Sequence, residues 1–490
     1  MRHIKRRQLL KNMGCALATG SIAFQTHKQS IAQTETKKPK FLIVLAAYGG
    51  ASIIDSALAI RSNETDNWRK MNTFAPENVV DISDSPFRAV DIEKQMIGFI
   101  PGGFKSQQIQ FMEKHKSYLM VPTVTGSSVT HEVAQHRSLT GNDAWRGRTL
   151  QEAMALEYGQ DMLLPNVNAA VDGYARNGLD NNLAASVYSE IVADARTWSL
   201  GLHGHNGIKN SPDPRVIEEA LKLREDLEKG STFAKTFAES PQLSSWYAQR
   251  ERQTSIEAQD LLTSLSVIQN GTQYPLNEYG LASSPEINRL LEVFPNLLVD
   301  PLEAKAALAF LLIKNGLSAS VTIAPTAEII TSRTGELINL IFGFDNSHND
   351  HRSTQGFMWN RVMRIADGLI TLLDEEEFDA STGETFWDRT LIYCATDFGR
   401  SRERKDAEEV FGTGHDLNNG NFILSPMVKG NQVLGGVDSN SGMTFGWNTA
   451  TGAPEMGKQN TEAEFFSALL DVLEISTNGE LPRVTAFRRT

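Results

Sequence analysis

Apolar runs of strand length alternate along this chain with stretches whose apolar residues recur at helical spacing. Phe41-Leu-Ile-Val-Leu-Ala-Ala47 is the first run, and it breaks into Tyr48-Gly49-Gly50, a turn whose glycines permit close backbone approach. Tyr118 to Val124 and Thr390 to Thr396 predict further buried strands, and Leu317 to Ile323 alternates like one. Phe422-Ile-Leu424 and Met427-Val428 lead towards a last strand and a turn at Gly435-Gly436. Thr149-Leu-Gln-Glu152 is a capping box. It opens a helix with Leu150, Ala153, Met154 and Tyr158 on one face and Gly159 as its stop. Glu303 to Lys314 predicts an apolar helix ended by Asn315-Gly316, and Phe357 to Leu373 an amphipathic one. Thr461-Glu-Ala-Glu464 is a second capping box, placing Phe466, Leu469, Leu470 and Leu473 inward. From about 213 to 271 the composition shifts to charged helices, with starts at Asp213-Pro214 and Ser240-Pro241, and reads as a helical insertion without visible chemistry. Strands alternating with helices predict an α/β fold with a mostly parallel sheet covered on both faces.

The polar positions concentrate where apolar runs stop. Leu337-Ile-Asn-Leu-Ile-Phe-Gly-Phe344 gives way to Asp345-Asn-Ser-His348-Asn-Asp350-His351. The run predicts a buried strand that delivers Asp345 and His348 to a crevice, because open α/β sheets place ligands beyond the carboxyl ends of their strands. The plainer reading is a solvated polar turn. The Thr390 run ends on Asp397-Phe-Gly-Arg400, and Gly412-Thr-Gly-His415-Asp416 follows. Earlier, the Gly126-Ser-Ser turn precedes Thr130-His131 and His136. His203 and His205 lie just before the insertion and read as loop histidines.

At 490 residues, with 40% hydrophobic and 22% charged residues, the composition is that of a soluble globular chain able to bury a large core. The formal net charge of −12 argues against a nucleic-acid partner, whose polyanionic backbone needs basic patches. Lys5-Arg6-Arg7-Gln8-Leu9-Leu10-Lys11 resembles a twin-arginine export motif. A short apolar stretch follows, and then a small-residue cleavage site at Ser30-Ile31-Ala32. Residues 1–32 therefore read as a signal peptide, its apolar centre too short for stable membrane insertion. That predicts a bacterial periplasmic or secreted protein whose first partner is the twin-arginine export machinery. Removal of the leader takes Cys15 with it and leaves Cys394, so no internal disulfide can form.

In order, Gly49-Gly50, His136-Arg-Ser-Leu-Thr140-Gly141, Asp345-Asn-Ser-His348, Asp388-Arg-Thr-Leu-Ile392, Thr396-Asp397-Phe-Gly-Arg400, Gly412-Thr-Gly-His415 and Gly435-Gly436 resemble the family numbered 1501 among domains of unknown function. Those are exported proteins related to the alkaline phosphatase and sulfatase superfamily. The resemblance covers nearly all of residues 33–490 apart from the insertion. It implies a single domain built as an alkaline-phosphatase-like three-layer sandwich. It also implies metal ligands at strand ends, matched here by Asp345, His348, Asp397 and His415, which suit zinc or manganese; given the chain's departures from the pattern, one such divalent metal, or none, is expected. The leucine-threonine-glycine tail at Thr140 resembles the end of the sulfatase nucleophile segment. Counting back nine residues reaches His131, with Thr130 the adjacent hydroxyl, so His131 or Thr130 would be base or nucleophile. Arg400 or Arg137 would hold a small anionic substrate. The chain departs from the pattern in three places. Ser52, with Asp55 beyond it, stands where an acid is expected after the first strand; Phe398 replaces a histidine beside Asp397; and His131 replaces the nucleophile. Two functions follow from the resemblance: a metal-assisted hydrolase of phosphate or sulfate esters, or a catalytically degenerate exported binding or scaffold protein of the same fold.

Overall fold

The computed structural model describes residues 37–91, 107–201, 209, 212–240, 243–244, 246–247 and 260–489; the leader, Cys15, His203, His205 and Pro241 lie outside the described residues. Nine strands make the central sheet of the compact unit Pro39–Thr490. They are Phe41–Ala47 (β1), Leu119–Thr125 (β2), Asn166–Ala169 (β3), Glu190–Ile191 (β4), Ser320–Ile323 (β5), Thr390–Thr396 (β6), Asn418–Gly420 (β7), Phe422–Leu424 (β8) and Gln432–Leu434 (β9). Their spatial order is β7-β2-β8-β6-β1-β5-β3-β4, with β9 parallel to β2. From β6 through β1, β5 and β3 to β4 every pairing is parallel. β8 is antiparallel to both β6 and β2, and β7 is antiparallel to β2. The fold is therefore mixed α/β with a mostly parallel central sheet. β1 and β6 are buried at every residue, which is what a parallel sheet covered on both faces requires and why their sequences run apolar without alternation.

The helices start where their caps predict. Thr149 and Glu152 exchange the reciprocal bonds of a capping box before the helix Leu150–Tyr158, as Thr461 and Glu464 do before Glu462–Val472. Asp213 caps Pro214–Gly230 with proline in its first turn, and Asp300 caps Pro301–Lys314 in the same way. The amphipathic segment lies within a longer helix, His351–Asp374, capped by Asp350. Among the described residues, no helix is long and apolar enough to cross a membrane.

One expectation is corrected. The run before Asp345 is not a strand of the central sheet. Only Leu337–Asn339 is extended, and it pairs antiparallel with Ile330–Thr331 in a separate two-stranded ribbon. The chain then reverses through two consecutive left-handed residues, Phe342 at φ +57° and Gly343 at φ +58°, and winds Gly343–His348 into a 3-10 turn. Apolar length alone could not distinguish a strand from a buried turn. The difference lies in packing, since the turn seats against the end of β1, with Phe344 N–H donating to the Tyr48 carbonyl.

The sheet brings the polar tips together. β1, β6 and β2 run in one direction, so Tyr48-Gly49, Asp397 and the segment leading to His131 leave the same edge. β7 opposes β2, with Asn418 beside Thr125, so His415 enters β7 from that edge as well.

Candidate metal centre

His131 is the first residue of the helix His131–Thr140, which Thr130 precedes as N-cap. A residue there projects from the helix start towards the strand ends. Its ring is fixed from behind: Nδ1 lies 2.7 Å from Asp397 Oδ2. The Asp397 carboxylate is buried, and it also accepts from Gly49 N–H at 3.2 Å, Gln135 Nε2 at 3.1 Å and the Tyr174 hydroxyl at 3.0 Å. In front, His131 Nε2 lies 3.2 Å from Asp345 Oδ1. His348 Nε2 reaches that same oxygen at 3.2 Å and His415 Nε2 reaches it at 3.3 Å. His348 and His415 face each other, Nε2 to Nε2, at 2.9 Å. One donor atom from each of His131, Asp345 and His415 falls within 4.8 Å of the others.

The proton positions decide what this cluster can do. His415 Nδ1 is 2.8 Å from the Val129 carbonyl, which can only accept, so Nδ1 carries the hydrogen and a neutral ring presents a lone pair at Nε2. His131 is oriented in the same way by Asp397. Lone pairs of two imidazoles therefore converge on a carboxylate oxygen that is itself an acceptor. His348 adds a third nitrogen, and Arg400 Nη2, at 2.6 Å, is the guanidinium donor on that oxygen. Acceptors gathered in this way need a cation or an extra proton. Metal-free, the proton goes to His131. Burial opposes it, but hydrogen bonds to Asp345 and Asp397 lift the ring to about 9. Burial would raise the Asp345 carboxyl, yet bonds from His131, His415 and Arg400 hold it well below the usual carboxylate range. Burial, with Arg400 next, pushes His348 below its ordinary value, towards the neutral form that a ligand needs. The donor set, imidazole nitrogen and carboxylate oxygen with outer hydrogen bonds fixing the tautomers, fits a zinc- or manganese-like ion.

The residues expected from the sequence thus take distinct places. Asp345, His348 and His415 meet at one point. His131 joins them there, so its Nε2 faces the donor set. Asp397 stands one layer behind, holding His131. Arg400 is buried and turned inward: Nη2 faces Asp345 and the Gly49 and Phe344 carbonyls, Nε the Gly50 carbonyl, and Nη1 the Thr413 carbonyl and His348. Thr130 is exposed, and its hydroxyl makes no capping bond. Arg137 Nη1 donates to the Ser127 carbonyl and hydroxyl. Ser52 is buried, and its N–H donates to Gln355 Oε1. Gln135, Tyr174 and Val129 were not legible as site residues. Gln135 lies four residues after His131 and hence on the same helical face, the one available signal; nothing local marks Tyr174.

Two glycines let these segments close. Gly49, at φ +98°, sits where a Cβ would run into the backbone nitrogen of Asp345, and a Cβ on Gly412 would run into the His348 carbonyl. No family model, no curated protein and no solved structure matches the chain.

Proposed function

We propose that this chain holds one divalent cation through His131, Asp345 and His415, with His348 completing the set, and that it hydrolyses phosphate or sulfate esters there. The observation that carries the reading is the convergence of three imidazole Nε2 atoms on Asp345 Oδ1, with the far nitrogens of two of the rings already committed to Asp397 and Val129. A bound divalent ion would supply Lewis acidity towards an ester oxygen. The chain's own residues do the rest. Asp397 fixes the tautomer and direction of His131. Arg400 positions Asp345 by the bond to Oδ1. Thr130, at a helix N-terminus and adjacent to a ligand, offers a hydroxyl not used in capping, and it is the side chain assigned as nucleophile. The finer fold reading, an alkaline-phosphatase-like three-layer sandwich, belongs to the same proposal, supported by the mostly parallel sheet with the site at one edge. Export through the twin-arginine machinery rests on the leader motif.

One observation favours the alternative, a non-catalytic exported binding or scaffold protein. Arg400 is buried and each of its guanidinium nitrogens already faces a protein partner, Nη1 at 3.4 and 3.5 Å, so it is turned to the protein and not to a substrate anion. The test is elemental analysis of the full chain purified without chelator, followed by a panel of aryl phosphates and aryl sulfates. The hydrolase reading expects about one equivalent of divalent metal and turnover on one ester class. Metal without turnover on either class would select the binding protein, and protein free of metal that takes up none on titration would end the proposal.

A further inference from the structure

Behind the candidate centre lies a second set of polar side chains that the proposed chemistry does not use. Asp55, in the 3-10 turn Ile53–Asp55, is buried, as are His351, Asn72 and Thr413. His351 Nε2 lies 2.9 Å from Asp55 Oδ2, and Thr413 Oγ1 lies 2.8 Å from His351 Nδ1. Asn72 Nδ2 donates to Asp55 Oδ1 at 2.9 Å. Burial by itself would raise the Asp55 carboxyl; the facing His351, with hydrogen bonds from Asn72 and Ser52, more than offsets this and keeps it ionised. Opposite an ionised carboxylate, Nε2 of His351 carries the hydrogen. Its Nδ1 lone pair then accepts from the Thr413 hydroxyl.

Every polar group of Thr413 is engaged. Its N–H donates to the Ser347 carbonyl at 2.9 Å, and its carbonyl faces Arg400 Nη1 at 3.5 Å. The His351 N–H in turn donates to the Phe411 carbonyl at 2.8 Å. Thr413 stands between Gly412 and Gly414, two residues before His415, and the Gly412 backbone lies against the His348 carbonyl. A loop flanked by glycines has little rigidity of its own, so its position depends on such anchors.

We propose that Asp55, His351 and Thr413 form a buried relay that clamps the His415 loop to the turn carrying Asp345 and His348, and so sets the spacing of the imidazoles in the candidate centre. All three are positioning residues. None of them touches the point where the Nε2 atoms converge. The effect on affinity rests on the reading of that centre as a metal site; the clamp does not. Removing a hydrogen-bond partner of a metal ligand typically costs about 10- to 100-fold in affinity, and the Thr413 hydroxyl stands one step further out, so about 10-fold is the upper bound for it.

The test compares Thr413→Val, which keeps the side-chain shape and loses the hydroxyl, with Thr413→Ser, which restores it. Both are made in the full chain. Amide hydrogen exchange over residues 347–351 and 411–415 is measured without metal, and Zn2+ and Co2+ affinity with the Co2+ absorption spectrum are measured on the same preparations. Thr413→Val should speed exchange in those two segments, weaken metal binding by up to about 10-fold and shift the Co2+ spectrum, while Thr413→Ser stays close to the parent. Exchange in Thr413→Val matching the parent would overturn the clamp. If the parent itself takes no metal, the metal reading fails and the exchange comparison still decides the clamp. A general loss of stability that Thr413→Ser does not rescue would also overturn it, because the relay assigns the role to the hydroxyl.

Discussion

Asp345 and Asp55 both face histidine Nε2 atoms, yet their surroundings follow opposite plans. Around Asp55 no excess of acceptors outnumbers the donors, which find partners within the group, with Asn72 Nδ2 also 3.1 Å from His351 Nε2. His351 gives a hydrogen to the carboxylate and takes one from Thr413, Asn72 gives a second, and the whole group is sealed. Around Asp345 three ring nitrogens crowd a single oxygen, and His348 is exposed to solvent. Matched, buried polar sets hold a fold together. Mismatched, accessible ones need something from solution. Acids and histidines alone do not separate the two cases; what separates them is where the protons must sit.

Substitution at the two aspartates is the sharpest way to break that contrast. Asp55→Ala leaves His351 and Asn72 buried without their partner. It should cost about 1–3 kcal/mol of metal-free stability for each donor left unsatisfied, read by denaturant titration. Asp345→Ala should instead empty the centre, taking bound metal from about one equivalent to none by elemental analysis. Metal content unchanged in Asp345→Ala, or a fold indifferent to Asp55→Ala, would erase the distinction drawn here.

A second, smaller effect is the pH dependence of metal uptake. His131 is held at about 9 without metal and must give up its proton to act as a ligand. Affinity should therefore rise about tenfold per pH unit between roughly 7 and 9, with about one proton released per ion at neutral pH, readable by calorimetry in buffers of different ionisation heat. In the metal-free protein the sign is reversed. The folded-state value lies above the ordinary 6.5, so this histidine's contribution to stability is complete below that value and disappears as pH rises through about 9. Uptake independent of pH across this window would remove His131 from the donor set.

The smallest effect on the fold should come from Thr130. Because its hydroxyl makes no capping bond, Thr130→Ala should move stability by no more than about 0.5 kcal/mol. If Thr130 is the nucleophile, the same change should abolish ester turnover with metal content intact. Turnover that survives would pass the role of nucleophile from Thr130 to water.

What could be read along the chain was what neighbouring residues decide. The caps at Thr149, Asp213 and Thr461, the helices that follow them, and the fully buried strands at Phe41 and Thr390 are set by local hydrogen bonding and by apolar runs, so sequence by itself determined them. It also marked the segments in which Asp345, His348, Asp397 and His415 stand. Only the tertiary structure decided how they divide the work. Asp397 pairs with a ring 266 residues away and so stands behind His131. Arg400 turns inward to carbonyls on three other segments. The run before Asp345 curls into a turn because the end of β1 offers it a seat. Contacts between segments so far apart depend on which strand lies beside which, and no local pattern of apolar and polar residues fixes that order.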